Sequence, residues 1–243
     1  MALRPFALIS LASLAVLALA ACQSQEPQAQ TQDVVSTIPW TVAEESRYRI
    51  LDDGDLKGQG VLRIEPQGDH LQFRQEFTGQ GFQDTAVALV DSRTLKPLEV
   101  TRVISGPKGE RTWEVRYSGS VVQIYQRSGD KERTDRLQVP EHAYDKWSEI
   151  FVWRTLDFRL GQRAAYTSLI TADLDKPKRA LVTLEVLGKE TVRVPAGSFE
   201  VWRLEIRQGG QKKQIAWIAA GPGREVIRYD NGFQVFELEE VRR

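Results

Sequence analysis

From about residue 45, apolar and polar residues alternate along the chain, and Gly, Asp or Pro interrupts them roughly every 8–12 residues, the spacing of an all-β sandwich or barrel. Leu62 and Ile64 alternate with charged neighbours, and Leu71, Phe73 and Phe77 share one face of the next strand. Trp113, Val115 and Tyr117 repeat the pattern, as do Val122 and Ile124. Trp202, Leu204 and Ile206 alternate with Arg203, Glu205 and Arg207, and Ile215 and Trp217 follow. Successive side chains of a strand point to opposite faces, so each apolar set lies on one side of its sheet. Asp52-Asp53-Gly54-Asp55, Gln208-Gly209-Gly210-Gln211 and Tyr229-Asp230-Asn231-Gly232 place Gly or Asx where a tight turn needs positive φ. Strands joined by such short turns must be antiparallel. The expected fold is mainly β: an antiparallel β-barrel or half-barrel/sandwich.

Between Asp145 and Gly161 the alternation stops. Tyr144, Trp147, Ile150 and Phe151 fall at helical spacing, with Asp145 placed as an N-cap and Gly161 as a stop. The pattern predicts one amphipathic helix over about 145–160, packed on the sheet or closing one end of a barrel. Two strand-turn-strand units, 86–102 and 215–228, have a similar layout. They are either two β halves around one helix or two unrelated hairpins.

The start of the chain differs. Met1-Ala2-Leu3-Arg4 is a short basic opening, and residues 6–21 are uncharged and rich in Leu and Ala. That is the layout of a secretory signal. The run is shorter than the about 20 apolar residues that a membrane span needs. It ends in Leu19-Ala20-Ala21-Cys22, which resembles the lipobox of bacterial lipoproteins, whose cysteine is acylated and becomes the first mature residue. The alternative is an ordinary signal peptide with an incidental cysteine. Acyl chains such as palmitate contribute about 0.8 kcal/mol per buried methylene, and two or more hold a protein stably on a membrane. The expected division is a signal peptide over 1–21, a disordered tether over 22–40 and a single antiparallel β domain over 41–243. Five glutamines and no aromatic residue between 23 and 38 motivate the tether. Gln23 does not resemble the Asp that often retains lipoproteins at the inner membrane. An outer-membrane position facing the periplasm is expected if the organism has one.

Charge and cysteine content narrow the chemistry. Lys and Arg number 33 and Asp and Glu 33, so nothing points to nucleic acid or another polyanion. Cys22 is the sole cysteine. Once lipidated it leaves no thiol for a disulfide, a nucleophile or a metal site.

Val194-Pro195-Ala196-Gly197-Ser198-Phe199-Glu200-Val201-Trp202-Arg203-Leu204-Glu205 resembles the strand pair of the bacterial exported-protein family of domain of unknown function 3108. Leu156-Asp157-Phe158-Arg159-Leu160-Gly161 upstream, and the Trp217 strand with Arg228-Tyr229 downstream, are similar in layout. The resemblance covers about 145–240 well and 45–140 loosely. It implies a β-barrel-like envelope protein without assigned chemistry. The architecture also resembles periplasmic lipoprotein carriers, in which an incomplete barrel with a helical lid holds acyl chains; for function that is analogy only. On physical grounds alone, Pro195 ends a strand and Gly197 permits the reversal into the next.

Catalytic patterns are missing. His70 and His142 stand in separate regions, and Asp52, Asp53 and Asp55 lack the spacing of a calcium loop, so neither metal nor cofactor is expected. No Gly-x-Ser-x-Gly elbow occurs. Gly58-Gln59-Gly60 and Gly221-Pro222-Gly223 are not followed by the Lys-Ser/Thr of a phosphate loop. Lys212-Lys213 and the 176–179 cluster fall at turns, as solvated charges or weak contacts to anionic headgroups. What remains is tryptophan: Trp40, Trp113, Trp147, Trp153, Trp202 and Trp217 either fill the interior or line a pocket for an apolar ligand, and Trp113, Trp147, Trp202 and Trp217 are the pocket candidates. The sequence thus supports a non-enzymatic envelope lipoprotein. Either it carries a lipid or other apolar molecule, or it is a structural or assembly protein docking onto an envelope partner; an enzyme is the third reading.

Overall fold

The period-two positions, Ile215 and Trp217 excepted, become the inner face of an open sheet. A computed structural model describes residues 30–209 and 213–243, and among these fifteen strands join into a single sheet. The first eight form an antiparallel meander: β1 (Glu44–Asp52), β2 (Asp55–Gln67), β3 (His70–Gly79), β4 (Phe82–Asp91), β5 (Pro97–Gly106), β6 (Gly109–Ser118), β7 (Val121–Ser128) and β8 (Lys131–Gln138). After β9 (Ala143–Asp145) and α1 (Glu149–Trp153), the chain builds a second meander. It comprises β10 (Arg163–Ile170), β11 (Lys178–Val194), β12 (Gly197–Gln208), β13 (Gln214–Ala219), β14 (Val226–Asp230) and β15 (Val235–Arg242). Antiparallel pairing of β1 with β15 joins the halves, leaving β8 and β9 as the two edges. The two halves do flank a helix. β9 pairs with β10 in parallel, because α1 and its flanks give the crossover length that a parallel pair needs.

The turns form as their residues dictate. Asp53 and Gly54 take φ of 50° and 86° between β1 and β2. Asn231 Oδ1 accepts from the amides of Phe233 (2.9 Å) and Gln234 (2.8 Å) between β14 and β15. Val194 pairs with Gly197 across Pro195-Ala196, and Gly197 has φ 137°. Of the Gln208–Gln211 turn, residues 210–212 lie outside the described residues.

One apolar cluster joins both meanders to α1. Phe73 stacks on Phe151 at 4.3 Å, and Ile64, Val100, Val115, Ile124, Leu184, Leu204 and Ile218 are buried around them. Burial alternates along β8, whose Lys131, Glu132, Arg133, Asp135 and Arg136 place charge along the free edge. Such an edge resists pairing with another chain.

The helix is shorter than the expected 145–160: α1 has 5 residues, Glu149–Trp153. Asp145 is not its cap but the last residue of β9. Its buried carboxyl accepts from Tyr117 (2.5 Å), Thr171 (2.6 Å) and the amide of Trp147 (2.9 Å). Arg154 ends the helix from the other side. It turns inward to Glu44 and to the carbonyls of Gly223 (2.8 Å) and Arg224 (2.7 Å).

The expected tether over 22–40 also needs correction. From Gln30 onward it is bound to the domain. The amide of Gln32 donates to Ala165 O at 2.8 Å, and those of Ser36 and Thr37 both donate to Thr155 O at 3.0 Å. Val34 and Trp40 are buried, and Trp40 meets Phe73 edge-on at 5.4 Å. The glutamines dominate the first part of the segment, whereas Val34, Ile38 and Trp40 supply apolar anchors in the second. The expected signal peptide, Cys22 and the start of the tether lie outside the described residues.

Candidate ligand cavity

The inner face of β2 carries Leu62 and Ile64 in its second half but Gly58 and Gly60 in its first. Gly58 borders the space beneath α1, and the Phe77 ring occupies the place of a Gly60 side chain. The Phe77 ring lies against Gly60, where an added Cβ would sit 3.4 Å from its Cδ1, and meets Phe236 edge-on at 5.7 Å. Gly58 and Gly79 bring β2 and β3 very close: a Cβ on either would overlap a backbone carbonyl of the other strand.

The space is a cavity of about 710 Å³, well within the roughly 300–1,000 Å³ of small-molecule sites. Phe77, Trp147, Ile150, Trp153, Tyr229 and Phe236 supply its apolar wall. Gln75, Gln208, Glu149, Lys57 and Lys146 supply polar groups. The rim includes Phe82 and Phe233, 45% and 70% exposed.

The wall is rigidly supported. Arg102 binds Asp84 through two bonds of 2.8 and 2.6 Å and donates to Ala172 O at 2.7 Å. Its guanidinium lies 4.1 Å from the centroid of the Trp147 ring, whose Nε1 donates to the same carbonyl at 3.1 Å. Gln75 Nε2 donates to Trp147 O at 2.6 Å. Asp84 is therefore neutralised, and Trp147 is held in one place. Across the cavity, Trp153 Nε1 donates to Tyr166 Oη at 2.9 Å, and Tyr229 donates to Gln214.

Glu149 is the unusual group. Burial pushes its carboxyl up to about 7; the nearby Ser168 and Tyr166 hydroxyls and Lys146 pull it back, while the Asp145 charge adds to the rise. Its Oε1 is buried and has no hydrogen-bond partner among the described residues. Gln208, also in the wall, donates to Ser168 Oγ at 3.3 Å.

Of the four tryptophans expected at a pocket, only Trp147 lines the cavity. Trp113 is buried in the core, with the Arg102 guanidinium 5.3 Å from its ring. Trp202 stacks on Phe158 at 6.0 Å under Lys189. Trp217 alternates with the buried Ala216 and Ile218, so it sits on the other face of β13, where it donates to Glu190 beside Arg228. Trp153, outside the four pocket candidates, lines the cavity as well, and Glu149, Phe77, Tyr229 and Phe236 join it without having been singled out for a site. No local sequence signal marks them, since they come from β3, α1, β14 and β15. His70 and His142 do not line the cavity, and no metal-ligating cluster occurs among the described residues. No described helix is long and apolar enough to cross a membrane.

The family model described as protein of unknown function (DUF3108) matches residues 44–237, from the start of β1 into β15. A β-barrel-like protein of domain of unknown function DUF1849 from Brucella abortus has a similar structure. Its TM-score is 0.56 at 11% identity, over 85% of this chain and 98% of that one. That likeness concerns the fold. A protein with a YmcC-like fold from Bacteroides fragilis covers 86% of this chain and 100% of its own at 13% identity, with a TM-score of 0.33 that carries no argument. No curated protein matches the chain in sequence.

Proposed function

The chain belongs to the family of proteins of unknown function DUF3108, and we propose that it is an exported lipoprotein that binds a lipid or other apolar ligand beneath α1. The observation that carries this reading is the 710 Å³ cavity, walled by aromatic side chains whose positions are fixed from behind. The role is non-enzymatic: binding and release, without a chemical step. Attachment through acylated Cys22 follows from the leader, and Gln23 favours an outer-membrane position facing the periplasm. The test is fluorescent-lipid titration of the mature chain. Saturable uptake that is lost in Ile150→Trp, which fills the cavity, is expected; no uptake by wild type overturns the reading.

A second reading is docking onto another envelope protein. Leu56, Phe82 and Phe233 are exposed, by 66%, 45% and 70%, near turns at one end of the sheet. Any such contact would use this rim, since β8 offers a charged edge. Crosslinking in native membranes from a benzoyl-phenylalanine placed at residue 82 would recover a discrete protein adduct if this reading holds.

A further inference from the structure

We infer that the ligand is a neutral amphiphile bearing a hydroxyl, which donates to the Glu149 carboxylate while its apolar body lies against Phe77, Trp147, Trp153 and Phe236. This deepens the proposed function and rests on it. Oε1 of Glu149 is buried without a hydrogen-bond partner among the described residues, in a side chain that forms part of the cavity wall. A buried acceptor left unmet is costly, and a ligand that supplies a donor removes the cost on binding. The charges around the cavity select the donor. A ligand carboxylate or phosphate, though drawn by Lys57 and Lys146, has no proton to donate and leaves Glu149 Oε1 unmet, facing the Glu149 charge with that of Asp145 behind it. A ligand ammonium could donate to Glu149 but would share the wall with Lys57 and Lys146. Asp84 offers an ammonium nothing, because both of its oxygens are taken by Arg102. A hydroxyl escapes both repulsions. Eight aromatic residues line the space, matching an apolar body rather than a second polar group.

The test uses the mature chain with Cys22→Ser and four probes of equal chain length: dodecanol, dodecyl methyl ether, dodecanoate and dodecylamine. Binding is read at pH 8 from tryptophan fluorescence, since Trp147 and Trp153 face the probe. Dodecanol is expected to bind about tenfold more tightly than its methyl ether, which keeps the oxygen but has no proton to donate. The gap closes in Glu149→Leu and persists in Glu149→Gln, which retains an acceptor oxygen. Equal binding of alcohol and ether by wild type overturns the inference, and that comparison needs no variant to fold. So does tightest binding by dodecanoate or dodecylamine, or an alcohol–ether gap that survives Glu149→Leu. If none of the four binds, the cavity reading itself fails.

Discussion

Arg154 Nη2 and Glu44 Oε1 lie 2.7 Å apart, with side chains only 1% and 3% exposed. Glu44 opens β1, and Arg154 follows α1, so the pair ties the lid over the cavity to the seam where the two meanders join. Nη2 also donates to the carbonyl of Gly223 and Nε to that of Arg224, ahead of β14. Its guanidinium also lies 5.1 Å from the Trp40 ring.

Removing Arg154 leaves the buried Glu44 charge with Arg243 alone, at 3.2 Å. Arg154→Met is expected to lower the unfolding free energy by about 3–5 kcal/mol. Glu44→Leu combined with Arg154→Met recovers part of the loss. Urea denaturation of the three proteins at neutral pH checks this, and a double variant no more stable than Arg154→Met would count against it.

Trp40 makes the terminal segment part of the domain. Trp40→Ala is expected to cost about 3–5 kcal/mol, the range for truncating a buried tryptophan. Hydrogen exchange should also accelerate at Ser36 and Thr37, whose amides donate to Thr155 O. Unchanged exchange there would mean the segment is held independently of Trp40.

Glu149 makes stability depend on pH. Unfolded, its carboxyl ionises near 4.5; folded, near about 7, because burial disfavours the charge. Between these values the unfolded chain has lost a proton that the folded protein keeps. Stability therefore falls as pH rises through this window, and the cost is complete above the folded value. Asp145, also raised by burial, adds a slope of the same sign. Glu149→Gln is expected to exceed wild type by about 3 kcal/mol at pH 8 and to lose that advantage near pH 4.5. Parallel stability–pH curves for the two proteins would refute this.

Gly58 permits the close approach of β2 to β3 at the cavity. Gly58→Ala places a methyl into the Thr78 carbonyl oxygen and is expected to cost about 1–3 kcal/mol. At Gly60 an added Cβ meets the Phe77 ring at 3.4 Å and Tyr48 Cβ at 3.7 Å, and no backbone, so Gly60→Ala should cost less. Thermal denaturation of the two variants decides the order.

The sheet was legible where residues act locally. Period-two sets such as Trp113 with Val115, and turns such as Asp53-Gly54, determine their own geometry. The helix was misread because Asp145 and Arg154 are recruited by distant residues, Tyr117 and Glu44, and spacing within 145–160 cannot reveal that. The bound segment 30–40 was masked by its glutamines, although Trp40 already breaks their pattern. The site was the least legible part. Tryptophan count did not identify it, since Trp113 packs the core and Trp217 faces the other side of the sheet. The cavity is assembled from β2, β3, α1, β14 and β15, which are distant in sequence, and its polar feature is a glutamate among many.

The central claim is that the space under α1 holds an apolar ligand. Native mass spectrometry of the protein, incubated with a total lipid extract of bacterial envelopes, tests it most directly. A lipid-sized mass bound one to one to wild type, and absent from a folded Ile150→Trp, is predicted. Wild type with no bound mass, or equal retention by both proteins, would contradict it.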